Sequence, residues 1–96
     1  MNFRLELTTE AKQALLELEV LEPKKYKKVL KTLGFMETNL RHKGLCTHKY
    51  DEYKGPNNEQ ILESYVENKT PGAYRVFWYY GPGKSVLTID AITPHP

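Results

Sequence analysis

The chain reads as an α+β fold in which an N-terminal strand leads into a two-helix hairpin and a C-terminal meander of strands. Three observations predict it. Phe3, Leu5 and Leu7 alternate with Arg4 and Glu6, the period-two pattern of a strand with one buried face. Two stretches of helical period lie on either side of Pro23. Three runs of β-branched and aromatic residues follow, cut by short turns rich in glycine and proline.

Each element has its own signals. Thr8 or Thr9 can cap the first helix, with Glu10 favourably placed in its first turn and Ala11, Ala14, Leu15 and Leu18 at helical spacing. Proline is accepted in a first helical turn and breaks an interior, so Pro23 ends one helix and starts the next. Tyr26, Val29, Leu30 and Leu33 form a stripe on that second helix. Gly34 is one possible stop, and Met36 and Leu40, which keep the helical phase, place the end nearer Asn39. Residues 41–54 show a weak strand pattern among basic residues, and "GPNNEQ" marks an exposed loop. The strands "ILESYVENK" and "YRVFWYY" are separated by residues 70–73, and "SVLTIDAI" follows the turn at 81–84.

The bulk numbers narrow the class. With 96 residues and 40% hydrophobic content, one domain spanning 1–96 is expected. The single cysteine, Cys46, excludes an intramolecular disulfide, and no apolar run is long enough to span a bilayer, so the chain reads as cytoplasmic with no membrane partner. A net charge of +2, from 14 Lys+Arg against 12 Asp+Glu, does not by itself demand a nucleic-acid partner. The placement of the charges matters more.

Arg75 stands in the middle of the most apolar strand, and charged residues are seldom buried without a partner. If Tyr80 lies opposite Ser85 across the 81–84 turn, Trp78 faces Leu87, Val76 faces Ile89 and Tyr74 faces Ala91 on the core side. The other side then pairs Tyr79 with Val86, Phe77 with Thr88, and Arg75 with Asp90. A three-residue loop at Pro71–Ala73 puts Leu62 and Val66 on the core side, whereas a two-residue loop would bury Glu67 and Lys69 there at a cost of several kcal/mol. The open face therefore gathers Glu63, Tyr65, Glu67, Lys69, Arg75, Phe77, Tyr79, Thr88 and Asp90.

The order strand, helix, helix, meander, together with "YRVFW" and the closing "AITPHP", resembles the RelE/ParE superfamily of type II toxins over nearly the whole chain. The resemblance implies helices packed on one face of a curved, mainly antiparallel sheet, with the active site on the other. It implies one of two activities: RelE-like members cleave messenger RNA in the ribosomal A site, and ParE-like members inhibit DNA gyrase. Arg75 matches the strand arginine that contacts the scissile phosphate in the ribonuclease branch. Lys69 lies near a basic position of the preceding strand, and His95 falls where several members carry a C-terminal histidine acting as acid or base. The chain departs from the pattern in its modest charge and in ending one residue after His95. The implied partners are an acidic antitoxin, the ribosome and messenger RNA, and a degenerate member that only binds antitoxin is a third reading.

RNA cleavage through its own 2′-hydroxyl needs a base, a cation for the charge developing at phosphorus, and a donor for the leaving oxygen. No metal or other cofactor is expected. Arg75 suits the phosphate because its planar fork contacts two oxygens at once, and its structural alternative is the pair with Asp90. His95 is the acid–base candidate because an imidazole can both donate and accept a proton, and the alternative is an idle terminal residue. Glu63 or Glu67 can serve as general base or merely solvate a strand. Tyr65, Phe77 and Tyr79, with Lys49 on the neighbouring strand, are the RNA-binding candidates, the aromatics by stacking on unpaired bases; packing beneath the C-terminal segment is the alternative for these rings. Lys24, Lys25, Lys27, Lys28 and Lys31 form either an RNA-phosphate surface or a solvated helix face. His42, Cys46 and His48 lack a fourth ligand and the paired spacing of a zinc site, and nothing in sequence activates Cys46 as a nucleophile.

Overall fold

A first strand, β1 (Arg4–Leu7), runs directly into a helix in the computed structural model, which describes residues 2–95. Helix α1 (Thr9–Leu21) starts where Thr8 Oγ1 accepts the Ala11 N–H at 3.1 Å, and Thr8 also donates to the Asp90 carbonyl at 2.9 Å. The cap thus ties the helix to the sheet as well as beginning it. Only Glu22 separates α1 from α2 (Pro23–Thr38), which opens with proline in its first turn and continues through Gly34 to Asn39. Val29, Thr32, Leu33 and Met36 face inward from α2, while Leu30 is 42% exposed and lies outside the buried stripe predicted for it.

A 3-10 turn (Lys43–Leu45) precedes four consecutive strands, β2 (His48–Lys54), β3 (Gln60–Tyr65), β4 (Tyr74–Tyr80) and β5 (Val86–Pro94). The sheet has the order β1-β5-β4-β3-β2, with β1 parallel to β5 and the remaining pairs antiparallel. Both helices cover one face. Ala11 and Leu18 of α1 and Val29, Leu33 and Met36 of α2 pack there with Leu45, Val76, Trp78, Leu87, Ile89 and Ile92. Trp78 is fully buried and still satisfies its indole N–H, which donates to Ser64 Oγ at 2.9 Å. Leu62 and Val66 pack against the same core as expected, although the β3–β4 connection runs over residues 66–73 rather than three residues, a register shift of four that leaves the faces unchanged.

The β4–β5 register differs from the expected one by two residues. Tyr80 lies opposite Leu87 and Trp78 opposite Ile89, and a bulge at Asp90 then places Ala91 opposite Phe77, Ile92 opposite Val76 and Thr93 opposite Arg75. A shift of two leaves every β4 side chain on its expected face. The bulge adds one residue to β5, so Ile92 enters the core in place of Ala91. Arg75 and Asp90 are consequently not cross-strand partners. The Asp90 carboxylate instead accepts the Tyr53 hydroxyl at 2.8 Å.

Candidate active site

On the face away from the helices, side-chain alternation brings His48 of β2, Glu63 and Tyr65 of β3 and Arg75 of β4 together, because His48 pairs with Glu63 and Tyr65 with Arg75 in the strand register. His95 joins them from just beyond β5, its N–H donating to the Ala73 carbonyl at 2.8 Å. Glu63 is the centre of the cluster and is 1% exposed. Its Oε1 lies 2.8 Å from His48 Nε2, its Oε2 lies 2.8 Å from His95 Nδ1, and Arg75 Nε approaches Oε2 at 3.6 Å. A carboxylate this deep is tolerated because three nitrogen groups surround it.

Arg75 is itself only 6% exposed. Its Nη1 donates to the Glu67 carbonyl and, at 3.2 Å, to the Tyr74 carbonyl, and its guanidinium carbon sits 3.7 Å above the Tyr65 ring. Nε is buried without a hydrogen bond, and among the described residues Nη2 has no hydrogen-bond partner. The histidines are the accessible members, with side chains 46% exposed for His48 and 49% for His95. The site thus presents two imidazole rings to solvent over a buried carboxylate and guanidinium. Such an arrangement can move protons and attract an anion.

The other expected site residues are dispersed. Glu67 leaves the open face because Val66 and Glu67 both direct their N–H groups at the Tyr74 carbonyl, at 3.1 and 3.3 Å, which breaks the strand alternation at the end of β3. Its carboxylate accepts the Tyr74 N–H at 3.2 Å and meets Lys25 at 3.4 Å and Lys28 at 3.2 Å on the helix side. Desolvation by burial disfavours ionisation and pushes its pKa up, but the Tyr74 N–H and the two ammonium groups outweigh that and hold the Glu67 carboxyl below the usual carboxylate range. Lys69 is exposed in the β3–β4 turn with a φ of 60° and makes no ion pair among the described residues. Lys49, opposite Leu62, is on the face away from Glu63.

Tyr65 keeps its expected place on the open face, where its ring lies under the Arg75 guanidinium, and the His48 ring meets it edge-on at 5.8 Å. Phe77 and Tyr79 are 3% and 5% exposed, packed with Ile61 beneath Tyr50 and Ala91 in a second small core on the open face. Their rings are covered and unavailable for stacking on a base. Tyr53 caps this cluster, where burial, and then the Asp90 hydrogen bond and charge, push its phenol well above the ordinary range. The residue that sequence reasoning missed at the site is His48. In the sequence it stood only in the weak strand pattern of 41–54 and in an incomplete zinc set with His42 and Cys46, and without the register nothing linked it to Glu63.

Comparison with solved structures matches this fold over almost its full length. A chain of the archaeal RelE–RelB complex from Pyrococcus horikoshii OT3 superposes with a TM-score of 0.68 at 17% identity, covering 98% of this chain and 96% of that one. The YoeB/ParE toxin from Agrobacterium tumefaciens gives 0.72 at 8% identity over 98% and 100% of the two chains. YoeB from the Staphylococcus aureus dimer gives 0.67 at 11% identity, with both chains fully covered. The fold is therefore that of the RelE, YoeB and ParE toxins, two helices on a five-stranded mixed sheet. No protein-family model matches the sequence. Comparison with curated proteins likewise finds no match.

Proposed function

We propose that this protein is the toxin of a toxin–antitoxin pair and acts as an endoribonuclease on messenger RNA held by the ribosome. The observation that carries the reading is the cluster on the open face, where one buried carboxylate, Glu63, holds two half-exposed imidazoles beside Arg75. Glu63 has both oxygens occupied, so it orients rather than reaches the substrate. Nδ1–H of His95 donated to Glu63 leaves Nε2 with a free lone pair facing outward, the form needed to accept a proton.

In the proposed reaction the 2′-hydroxyl proton passes to His95 Nε2 and the 2′-oxygen bonds to phosphorus. The bond from phosphorus to the 5′-oxygen breaks, and that oxygen leaves with a proton drawn from solvent. The products are a 2′,3′-cyclic phosphate and a 5′-hydroxyl. Charge growing on the phosphate oxygens meets Arg75 through the unengaged Nη2.

The test is to add the purified protein to ribosomes programmed with a defined message and map the RNA ends. Cleavage that requires ribosomes, leaves a cyclic phosphate and is lost in His95→Ala supports the proposal. Intact messages combined with inhibition of gyrase supercoiling would transfer the protein to the ParE-like reading.

A further inference from the structure

His48 has a hydrogen-bonding problem that its position solves in only one way. Its Nδ1 lies 2.8 Å from the Cys46 carbonyl oxygen, which can only accept, so Nδ1 carries a hydrogen. Its Nε2 lies 2.8 Å from Glu63 Oε1. A neutral ring with its hydrogen on Nδ1 would aim a bare lone pair at a carboxylate oxygen. The contact closes only when one additional proton lies between the two groups, on Nε2 or on the carboxyl.

The groups around this contact come from every neighbouring element. Glu63 and the Tyr65 ring belong to β3, Arg75 to β4, and His95 follows β5, while Cys46 belongs to the turn before β2. Arg75 and His95 both address Oε2, leaving Oε1 to His48 alone. Without that ring Oε1 has no side-chain partner among the described residues, and the carboxylate that orients His95 is held at Oε2 alone.

We infer that His48 is a positioning residue of this site: it shares one proton with Glu63 and so locks the carboxylate that aims His95. This deepens the ribonuclease reading and rests on it for its catalytic consequence. When the shared proton is lost at high pH, the contact becomes repulsive and opens, so His48 contributes an alkaline fall in cleavage.

Two measurements test it on the full chain. Ring-nitrogen and carboxyl NMR near neutral pH should show either both His48 nitrogens carrying hydrogen or Glu63 protonated, and His48→Ala should loosen the His95 ring. A neutral His48 beside an ionised Glu63, or an unchanged His95 ring in His48→Ala, would overturn the inference whether or not the protein cleaves RNA. In the ribosome assay, His48→Ala should slow cleavage about 10²-fold, the scale of a misplaced catalytic group. His48→Gln, whose amide N–H can still reach Oε1, should recover much of that rate and lose the alkaline fall. Equal losses in both variants with an unaltered pH profile would also overturn it. Failure of the wild-type chain to cleave would sink the ribonuclease reading alone, since the NMR arm still decides the shared proton.

Discussion

Glu63 and Arg75 make each other tolerable, since a nearly buried carboxylate and guanidinium each remove the uncompensated charge that the other would leave. Glu63→Ala should therefore destabilise the domain by about 3–5 kcal/mol, the cost of stranding a buried charge, read as a fall in the chemical-denaturation midpoint. A loss below about 1 kcal/mol would show that water reaches Arg75 freely. Arg75→Ala should slow cleavage by roughly 10²–10³-fold. Arg75→Lys should recover only part of the rate, because an ammonium keeps the charge and loses both the planar fork and the stack on Tyr65. Asp90→Ala provides the control. Its partner is Tyr53, so cleavage should be unchanged while stability falls by about 1 kcal/mol; an Asp90→Ala variant as inactive as Arg75→Ala would contradict this assignment.

At the scale of elements, irregularities at strand ends decide what each face presents. The bulge at Asp90 exchanges Ala91 for Ile92 in the core and sends Asp90 to Tyr53. The break at Val66 and Glu67 turns a carboxylate from the open face to α2, where it joins the β3–β4 turn to Lys25 and Lys28. This latch has a defined pH dependence. Because the folded state holds the Glu67 carboxyl below its unfolded value, its stabilisation is complete above the ordinary carboxylate range and disappears as pH falls through the folded value. Glu67→Gln should thus melt earlier than the wild type at neutral pH, by ~1–2 kcal/mol, and the two should converge in acid. Curves that stay parallel through the acidic range would rule the latch out.

For the molecule as a whole, placing both helices on one face leaves the other with two exposed imidazoles over its buried charges. The proposed activity predicts that induced expression arrests growth by stopping translation. An acidic protein encoded beside this gene should bind the domain and restore growth, since small domains of this kind are readily covered by a partner's helix or by a strand added to a sheet edge. Co-purification and a plate growth assay check this. Arrest with translation intact, or a neighbouring product that neither binds nor rescues, would count against the toxin–antitoxin assignment.

The order of elements was legible in the sequence because it depends on local signals: the alternation of β1, the cap at Thr8, Pro23 between the helices, and glycine and proline between the strands. The face of each β4 side chain was legible too, since a period of two survives any even error of register. Residue pairing was not. A hairpin register two residues from the expected one, and then the extra residue of the bulge in β5, separated Arg75 from Asp90, and no local pattern encodes a bulge that is set by how Ile92 fills the core. The gathering of His48, Glu63 and His95 depended on strands distant along the chain meeting across the sheet. Tertiary structure alone decided that Phe77 and Tyr79 would be covered, that Glu67 would turn to α2, and that His48 would meet Glu63, because contacts between distant segments follow from packing the whole core at once.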